Sequence, residues 1–502
     1  MSNKNPSKGE GSKLSKTYFK ITVFCIAYSL LFTLFLIQHS KAADNNLPDI
    51  GSSASQALSL ANEQAIGDSY MRQLRAIAPI MNDPEVNDYI QHLGFKLVEN
   101  NLRASDRPFL FFVIQDSSIN AFALPGGYIG FHTGLIVKTE NESELASVVG
   151  HEIAHVTQRH LARRIELQSQ MAIPSLAAFI AAILIASQTS GSDGAMAAIA
   201  GSQGLAQQAI INHTRSNESE ADRIGITTMY RAGFDPDAAV SFFEKMQQNS
   251  RYQSNSLEFL RTHPLSRNRI TDVRLRAAEF PNRPVIEKPT YALIKEKIKA
   301  ITARITPTLI QSANSQYKAG EFDTNAKIYG YAILLARAKQ LKKAEKLLQQ
   351  LRKNSPKQTT YAIALAELDI EKGTPQRSLP IIKDFLDKIP GNLALIEMSA
   401  KLLIANNQAK EARELLLENI HMTIQAPYLL KHLSQAQELS GHHSEVFETE
   451  GNYLLAMGDL IGARNQYYQA LNVQTEDPYA RQRINSQLAR IKEFLYKRSL
   501  RH

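Results

Sequence analysis

The chain has 502 residues, a formal net charge of +9, one cysteine and no tryptophan. At 44% apolar and 21% charged it has ordinary globular composition, with length for roughly two to four domains, which excludes collagen, long disorder and a multi-pass membrane protein. One cysteine excludes an intramolecular disulfide framework and a Cys-rich zinc site, while the basic charge raises nucleic acid or a membrane surface as partners.

That charge is concentrated at the front. Residues 1–42 hold six lysines against Glu10 alone, a local +5, followed by the apolar run Ile21 to Ile37 and then Ser40-Lys41-Ala42. A basic stretch, an apolar stretch and a small-x-small site read as a secretory signal over residues 1–42, with an uncleaved N-terminal anchor as the alternative. Cleavage after Ala42 would leave no cysteine and a net charge of +9 less +5, or +4. Nucleic acid is then not expected, because no compact Lys/Arg patch is interleaved with aromatics.

Residues 43–57 read as a polar linker. From Leu58 to Asn101 apolar residues recur at helical spacing in two stretches, parted by Pro79 and Pro84. Pro108 to Ile114 is rich in β-formers and predicts a strand, and a second strand-like stretch from Ile119 to Leu135 is broken by Pro125-Gly126-Gly127. Leu145 to Arg164 predicts one helix, and Glu218 to Ala232 another that ends at Gly233. Between them Met171 to Ala186 is unusually apolar and contains Pro174. It predicts a buried helical hairpin or a lid over a cleft rather than a membrane span, and a surface dipping into a membrane stays open. Residues 281–310 read as a helical connector. Beyond them the pattern is all helical, so the expected fold is mainly α with a small β-sheet.

His151-Glu152-Ile153-Ala154-His155 carries the chemistry. On a helix, positions i and i+4 differ by about 40°, so both imidazoles can reach one metal ion. Glu152 lies about 100° round from His151, beside that ion, where its carboxylate can take a proton from water. Zinc suits such a site, because it lowers the pKa of water and polarises a scissile carbonyl. A third ligand is required. His160 is about 140° off the face and is rejected, which leaves it a solvated or capping histidine. Glu218 and Asp222 share a helix face; Glu218 can be the carboxylate ligand while Asp222 receives the second N–H of a ligand histidine. The competing reading is an acidic, solvated first turn.

An H-E-x-x-H followed well downstream by Glu218-Ser219-Glu220-Ala221-Asp222 resembles the gluzincin plan, and specifically the HtpX-type metallopeptidases. Asn120 to Ile129 (NAFALPGGYI) is similar to that family's strand-and-turn before the metal helix, and Arg261 to Ser266 (RTHPLS) to its short His-Pro segment. The resemblance covers residues 58–280. Together with the signal and a helical C-terminal half, it points to the BepA-type (YfgC-type) periplasmic proteases, which pair such a domain with tetratricopeptide repeats. It implies a gluzincin-type α+β peptidase domain, one zinc per chain held by His151, His155 and Glu218, and Glu152 as general base. A strand edge along Asn120, Ala121, Phe122 and Ala123 could take an extended peptide as a further strand; otherwise it is an ordinary strand. His263 could hold the oxyanion, cap the metal, or be a plain structural histidine.

Small residues Ala344, Ser378 and Ala412 recur about every 34 residues, each five after a turn at Lys339, Gly373 or Asn407. That is the tetratricopeptide spacing, expected over 311–502. Ala463 comes 51 residues after Ala412, which predicts an irregular middle with an extra helix around Ser444 to Leu454. Stacked repeats offer a concave surface for extended partners. The expectation is a periplasmic zinc endopeptidase with chaperone-like action. By the resemblance it serves quality control of outer-membrane proteins, meets unfolded or misassembled ones, and touches the β-barrel assembly machinery through its repeats. Peripheral membrane association stays open. The alternative is a chaperone or scaffold that works mainly through its repeats.

Overall fold

The computed structural model describes residues 58–102, 107–170, 204–252, 258–281, 285, 288–473 and 477–499. The signal reading over 1–42, the linker over 43–57 and the apolar run 171–186 lie outside the described residues. Among the described residues no helix is long and apolar enough to cross a membrane.

Helix α1 (Leu60–Ile77) starts at Ser59, whose hydroxyl accepts the Asn62 N–H at 3.2 Å. Helix α2 (Pro84–Val98) starts at Asp83, with Pro84 in the first helical position, where its missing N–H leaves no bond unmade. Pro84 therefore opens a helix, while Pro79 lies in the break. Strand β1 (Leu110–Ile114) runs parallel to β3 (Tyr128–His132), and β2 (Ala121–Leu124) pairs antiparallel with the other side of β3. In the order β1-β3-β2, β2 is an edge. Then come α3 (Thr133–Lys138) and α4 (Glu142–Thr157).

The single helix expected over Leu145–Arg164 is two. Arg159 adopts a left-handed backbone (φ 54°), and its guanidinium is held by Glu63 at 3.3 Å and by the Leu58 carbonyl. This long-range anchoring ends α4, and α5 (His160–Gln170) begins beyond it. Helix α6 (Gly204–Arg231) is continuous over 28 residues, so Glu218 sits inside a helix and not in its first turn. Helices α7 (Asp237–Tyr252), α8 (Glu258–Thr262), α9 (Arg267–Ala277) and α10 (Pro289–Thr302) follow.

One apolar core joins α2, the sheet, α4, α6 and α7 through residues such as Ile90, Phe111, Ile129, Ile153, Met229 and Phe242. The segment read as a connector is part of that core. Tyr291, Ile294 and Ile298 of α10 belong to it, while Leu293 and Ala300 of the same helix belong to the next core. Between the two, the buried Lys297 ammonium lies 2.7 Å from Asp83 and 2.6 Å from Glu85. Burial pushes this amine down, but the two carboxylates hold it well above its usual range.

The remaining helices are α11 (Pro307–Lys318), α12 (Asn325–Arg337), α13 (Leu341–Asn354), α14 (Thr359–Glu371), α15 (Leu379–Lys388), α16 (Leu393–Ala405), α17 (Ala409–Glu418), α18 (Leu429–Leu439), α19 (His443–Ala456), α20 (Leu460–Asn472) and α21 (Ala480–Ser499). Lys339, Gly373, Asn407 and Gly441 recur at the repeat spacing, and all have positive φ, between 60° and 83°. They turn α12 into α13, α14 towards α15, α16 into α17 and α18 into α19. Ala344, Ser378 and Ala412 are buried, as small residues at close helix crossings should be. The helix expected around Ser444–Leu454 is α19, and it serves twice. It is the second helix after the Gly441 turn and the first before a further positive-φ turn at Gly458, half a repeat on. The 51-residue offset is thus a shared helix.

This helical half folds back onto α1 and α2. Gly458 lies so close that a Cβ there would be 2.4 Å from the Arg72 carbonyl oxygen. Arg75 donates to the Ile424 and Ala456 carbonyls at 3.0 and 3.4 Å, and Asp88 accepts from Asn392 at 2.7 Å. We expect Lys297→Met to lower the unfolding free energy by about 3 kcal/mol in urea titrations, because it leaves the buried Glu85 and the half-buried Asp83 without a countercharge. Adding Glu85→Gln should recover part of the loss. A drop below about 0.5 kcal/mol would mean that the group behaves as a surface pair.

Candidate metal centre

Helix α4 is capped by Asn141, which accepts the Glu144 N–H at 2.9 Å. Its other face is tied to α7 by Lys245, 2.9 Å from the buried Glu144 carboxylate. It crosses α6 where Gly150 meets Gly225. A Cβ on Gly225 would lie 2.9 Å from the His151 amide nitrogen, so only glycine permits this approach. The crossing brings Glu218 to the two histidines of α4.

His151 Nε2 and His155 Nε2 are 2.9 Å apart. Glu218 offers Oε2 at 3.5 Å from the first and Oε1 at 3.4 Å from the second. His263, just after α8, brings Nδ1 to 3.2 Å from His151 Nε2 and 3.1 Å from Glu218 Oε2. These four residues could hold a metal ion, since one donor atom from each lies within 4.8 Å of all the others. Donors around a tetrahedral zinc sit about 3.3–3.4 Å apart, close to the separations here, and a set of three imidazoles and one carboxylate suits that ion. The residues present therefore fit a divalent cation.

The second layer is equally specific. Asp222 Oδ1 lies 2.9 Å from His151 Nδ1, which leaves Nε2 to face the donor set. Arg269 of α9 grips Asp222 with Nε and Nη2, both at 2.8 Å, and reaches Glu218 Oε2 with Nη1 at 2.9 Å. His160 is not solvated, as the spacing suggested. It is buried, with Nδ1 2.8 Å from His155 Nδ1 and Nε2 3.3 Å from Glu220. The kink at Arg159 swings it back under His155. It stays outside the donor set because its Nδ1 faces His155 Nδ1, not through the helical rotation, which the break at Arg159 interrupts.

Glu152 is buried beside this cluster, 3.3 Å from His263 Nε2, and accepts the Ala123 N–H. Burial pushes its carboxyl up, against the pull of His263 and His151. Burial would also raise Glu218, yet His263, His151 and His155 hold it well below the carboxylate range. Burial lowers the His151 imidazolium, but Asp222 and Glu218 more than offset that and raise it to about 10. His155 is pushed well below its usual range, first by burial, with the charges of His151, His263 and His160 adding to it. In an antiparallel ladder alternate residues turn their backbone groups outward. The Asn120 carbonyl accepts the His132 N–H at 3.0 Å, so Ala121 and Ala123 face the free edge, towards Glu152. Phe122 packs on Phe112, with ring centroids 6.0 Å apart, and the buried Asn120 Oδ1 has no hydrogen-bond partner among the described residues.

Arg269 escaped the sequence reading. Nothing in its local spacing distinguishes it from the other arginines of α9, and only the packing of α9 on α6 aims it at the two carboxylates. A signal for it did exist, since a buried acidic pair on one helix face requires a cation.

Comparison with known proteins places this architecture. The family model described as peptidase family M48 matches residues 84–277, from the start of α2 to the end of α9. The chain is 40% identical to the beta-barrel assembly-enhancing protease of Yersinia pestis over 334 residues, 65% of this chain and 67% of that protein. It is 35% identical to the Escherichia coli (strain K12) protein of the same name over 373 residues, 74% of this chain and 76% of that one. A shorter match, 33% over 169 residues, covers 34% of this chain and 47% of mitochondrial metalloendopeptidase OMA1 of Schizosaccharomyces pombe. With the H-E-x-x-H helix, the Glu218 helix and these extents of identity, the chain belongs to the beta-barrel assembly-enhancing proteases of peptidase family M48.

Proposed function

We propose that this chain is an exported zinc endopeptidase that acts in quality control and assembly of outer-membrane β-barrel proteins, degrading stalled precursors and assisting productive ones. The observation that carries the chemistry is the convergence of His151, His155, Glu218 and His263, with Glu152 alongside. A zinc ion held there supplies a Lewis acid for a peptide carbonyl and lowers the pKa of water. His151, His155 and Glu218 would hold it. Asp222 holds the proton on His151 Nδ1, and Arg269 neutralises the surplus carboxylate charge behind the site.

Glu152 is the general base and afterwards the acid. Its buried place beside the cluster suits a group that takes a proton from water and returns it to the leaving amine. The outward-facing backbone of Ala121 and the Ala123 carbonyl on β2 receive an extended peptide as an added strand, beside Glu152, which already accepts the Ala123 N–H. His263 lies 3.2 Å from His151 and 3.1 Å from Glu218, where it would be a further donor to a bound ion, and a catalytic zinc needs one open position. Its role is therefore to cap the ion at rest and to move aside for substrate.

The basic and apolar N-terminal segment supports export to the periplasm, with retention on the inner membrane by an uncleaved helix as the other outcome. The regular spacing of positive-φ turns supports tetratricopeptide repeats that dock substrates or the assembly machinery. A site capped at rest also favours a second reading, in which binding by the helical half dominates and cleavage is rare.

Three variants test these roles. Glu152→Gln should keep the metal, measured per chain, and lose at least about 10²-fold in cleavage of an unfolded barrel protein. Cleavage at the wild-type rate would overturn the peptidase reading, and rescue of barrel assembly by this variant in cells would favour the second one. Asp222→Asn should weaken metal binding by about 10–100-fold in equilibrium titrations. His263→Ala should keep one metal per chain and cleave faster than wild type; a slower enzyme would assign His263 to the reaction itself.

A further inference from the structure

The face of the helical half that meets α2 is already occupied by its own chain. Thr360 of α14 hydrogen-bonds Glu85, and the start of α16 binds Asp88 through Asn392 and the Leu393 N–H. A partner of this half must use another face. The second helices of successive units, α13 and α15, form an open groove of about 710 Å³. That is the size of a site for a short peptide.

It is lined by the apolar side chains of Pro356, Pro380, Ile381, Phe385 and the 45% exposed Ile389. Its rim is basic. Lys388 is matched by Asp384 at 2.6 Å, whereas Arg352 at the end of α13 and the exposed Lys357 make no ion pair among the described residues, which leaves the groove two positive charges in excess. Unpaired cations beside an exposed apolar strip complement a partner of opposite charge that carries a large apolar side chain.

We propose that the α13–α15 groove docks an extended acidic peptide. Its carboxylates pair with Arg352 and Lys357, and a bulky apolar residue lies on Ile381, Phe385 and Ile389. The apolar residue supplies the anchor, and the two cations set orientation and encounter rate. The proposal names the partner chemistry for the docking role given above to the helical half, and owes nothing to the peptidase chemistry.

The test uses the full chain carrying Glu152→Gln, so that cleavage plays no part. The probe is a fluorescein-labelled peptide of alternating Asp and Phe, followed by anisotropy. Matched Lys–Phe and Asp–Ala peptides are the controls, with phosphatidylglycerol vesicles as a separate arm. We expect the Asp–Phe peptide to bind, both control peptides to bind at least about tenfold more weakly, and Arg352→Glu with Lys357→Glu to weaken it by a similar factor. Ile389→Asp, a single change at an exposed position, should weaken it as well. Equal binding of the Lys–Phe peptide, or binding untouched by the charge reversals, overturns the proposal. So does a variant that loses vesicle binding but keeps the peptide, which would assign the patch to an anionic membrane. If the Glu152 experiment fails while peptide binding behaves as expected, only the peptidase reading falls.

Discussion

The crossing of α4 and α6 at Gly150 and Gly225 is the contact on which the metal centre depends. Helix α4 alone carries two imidazoles, and α6 alone carries two carboxylates at positions i and i+4. Neither is a site. A side chain at Gly225 would meet the His151 amide at 2.9 Å and push the helices apart, and Glu218 would leave the donor set. Once the helices touch, the rest follows from the cost of buried charge. Glu218 and Asp222 need a cation, and Arg269 provides it. His155 needs a partner for its second ring nitrogen, and the kink at Arg159 delivers His160.

The same logic governs the join between the two halves. An amine with the surroundings of Lys297 survives in the interior only because Asp83 and Glu85 stand 2.7 and 2.6 Å away. Asp83 also caps α2, so the residue that starts a peptidase helix is part of the ionic group on α10. Together with the Gly458 and Asp88 contacts, this makes the peptidase and helical halves one packed body. It also covers the face that the repeat pattern left free for partners.

Much of the fold was legible in the sequence where its cause is local. The helix pairs of the C-terminal half are fixed by regularly spaced turn residues, and the turns expected at Lys339, Gly373 and Asn407 are there, each with a positive φ. The break at Pro79 and the start at Pro84 follow from proline geometry. The end of α4 and the start of α6 were not legible. One depends on Arg159 reaching Glu63, 96 residues away, and the other on helical continuity that the acidic pair does not interrupt. The longer offset from Ala412 to Ala463 looked like an insertion, and only the packing of α19 on both neighbours shows it to be one helix used twice.

The sequence by itself determined which residues could share a helix face. Rotation per residue is constant within a helix, so His151 with His155, and Glu218 with Asp222, were paired by spacing alone, whereas the rotation used to exclude His160 does not carry across the break at Arg159. Tertiary structure decided which faces meet. It brought His263 beside His151 and Glu218, aimed Arg269 at two carboxylates, buried His160, and turned the Ala123 N–H to Glu152. The Arg269–Asp222 contact joins residues 47 apart in the chain, and the His263–His151 contact residues 112 apart. Along such lengths chain geometry imposes no fixed separation, and only packing of the core and pairing of buried charge select one.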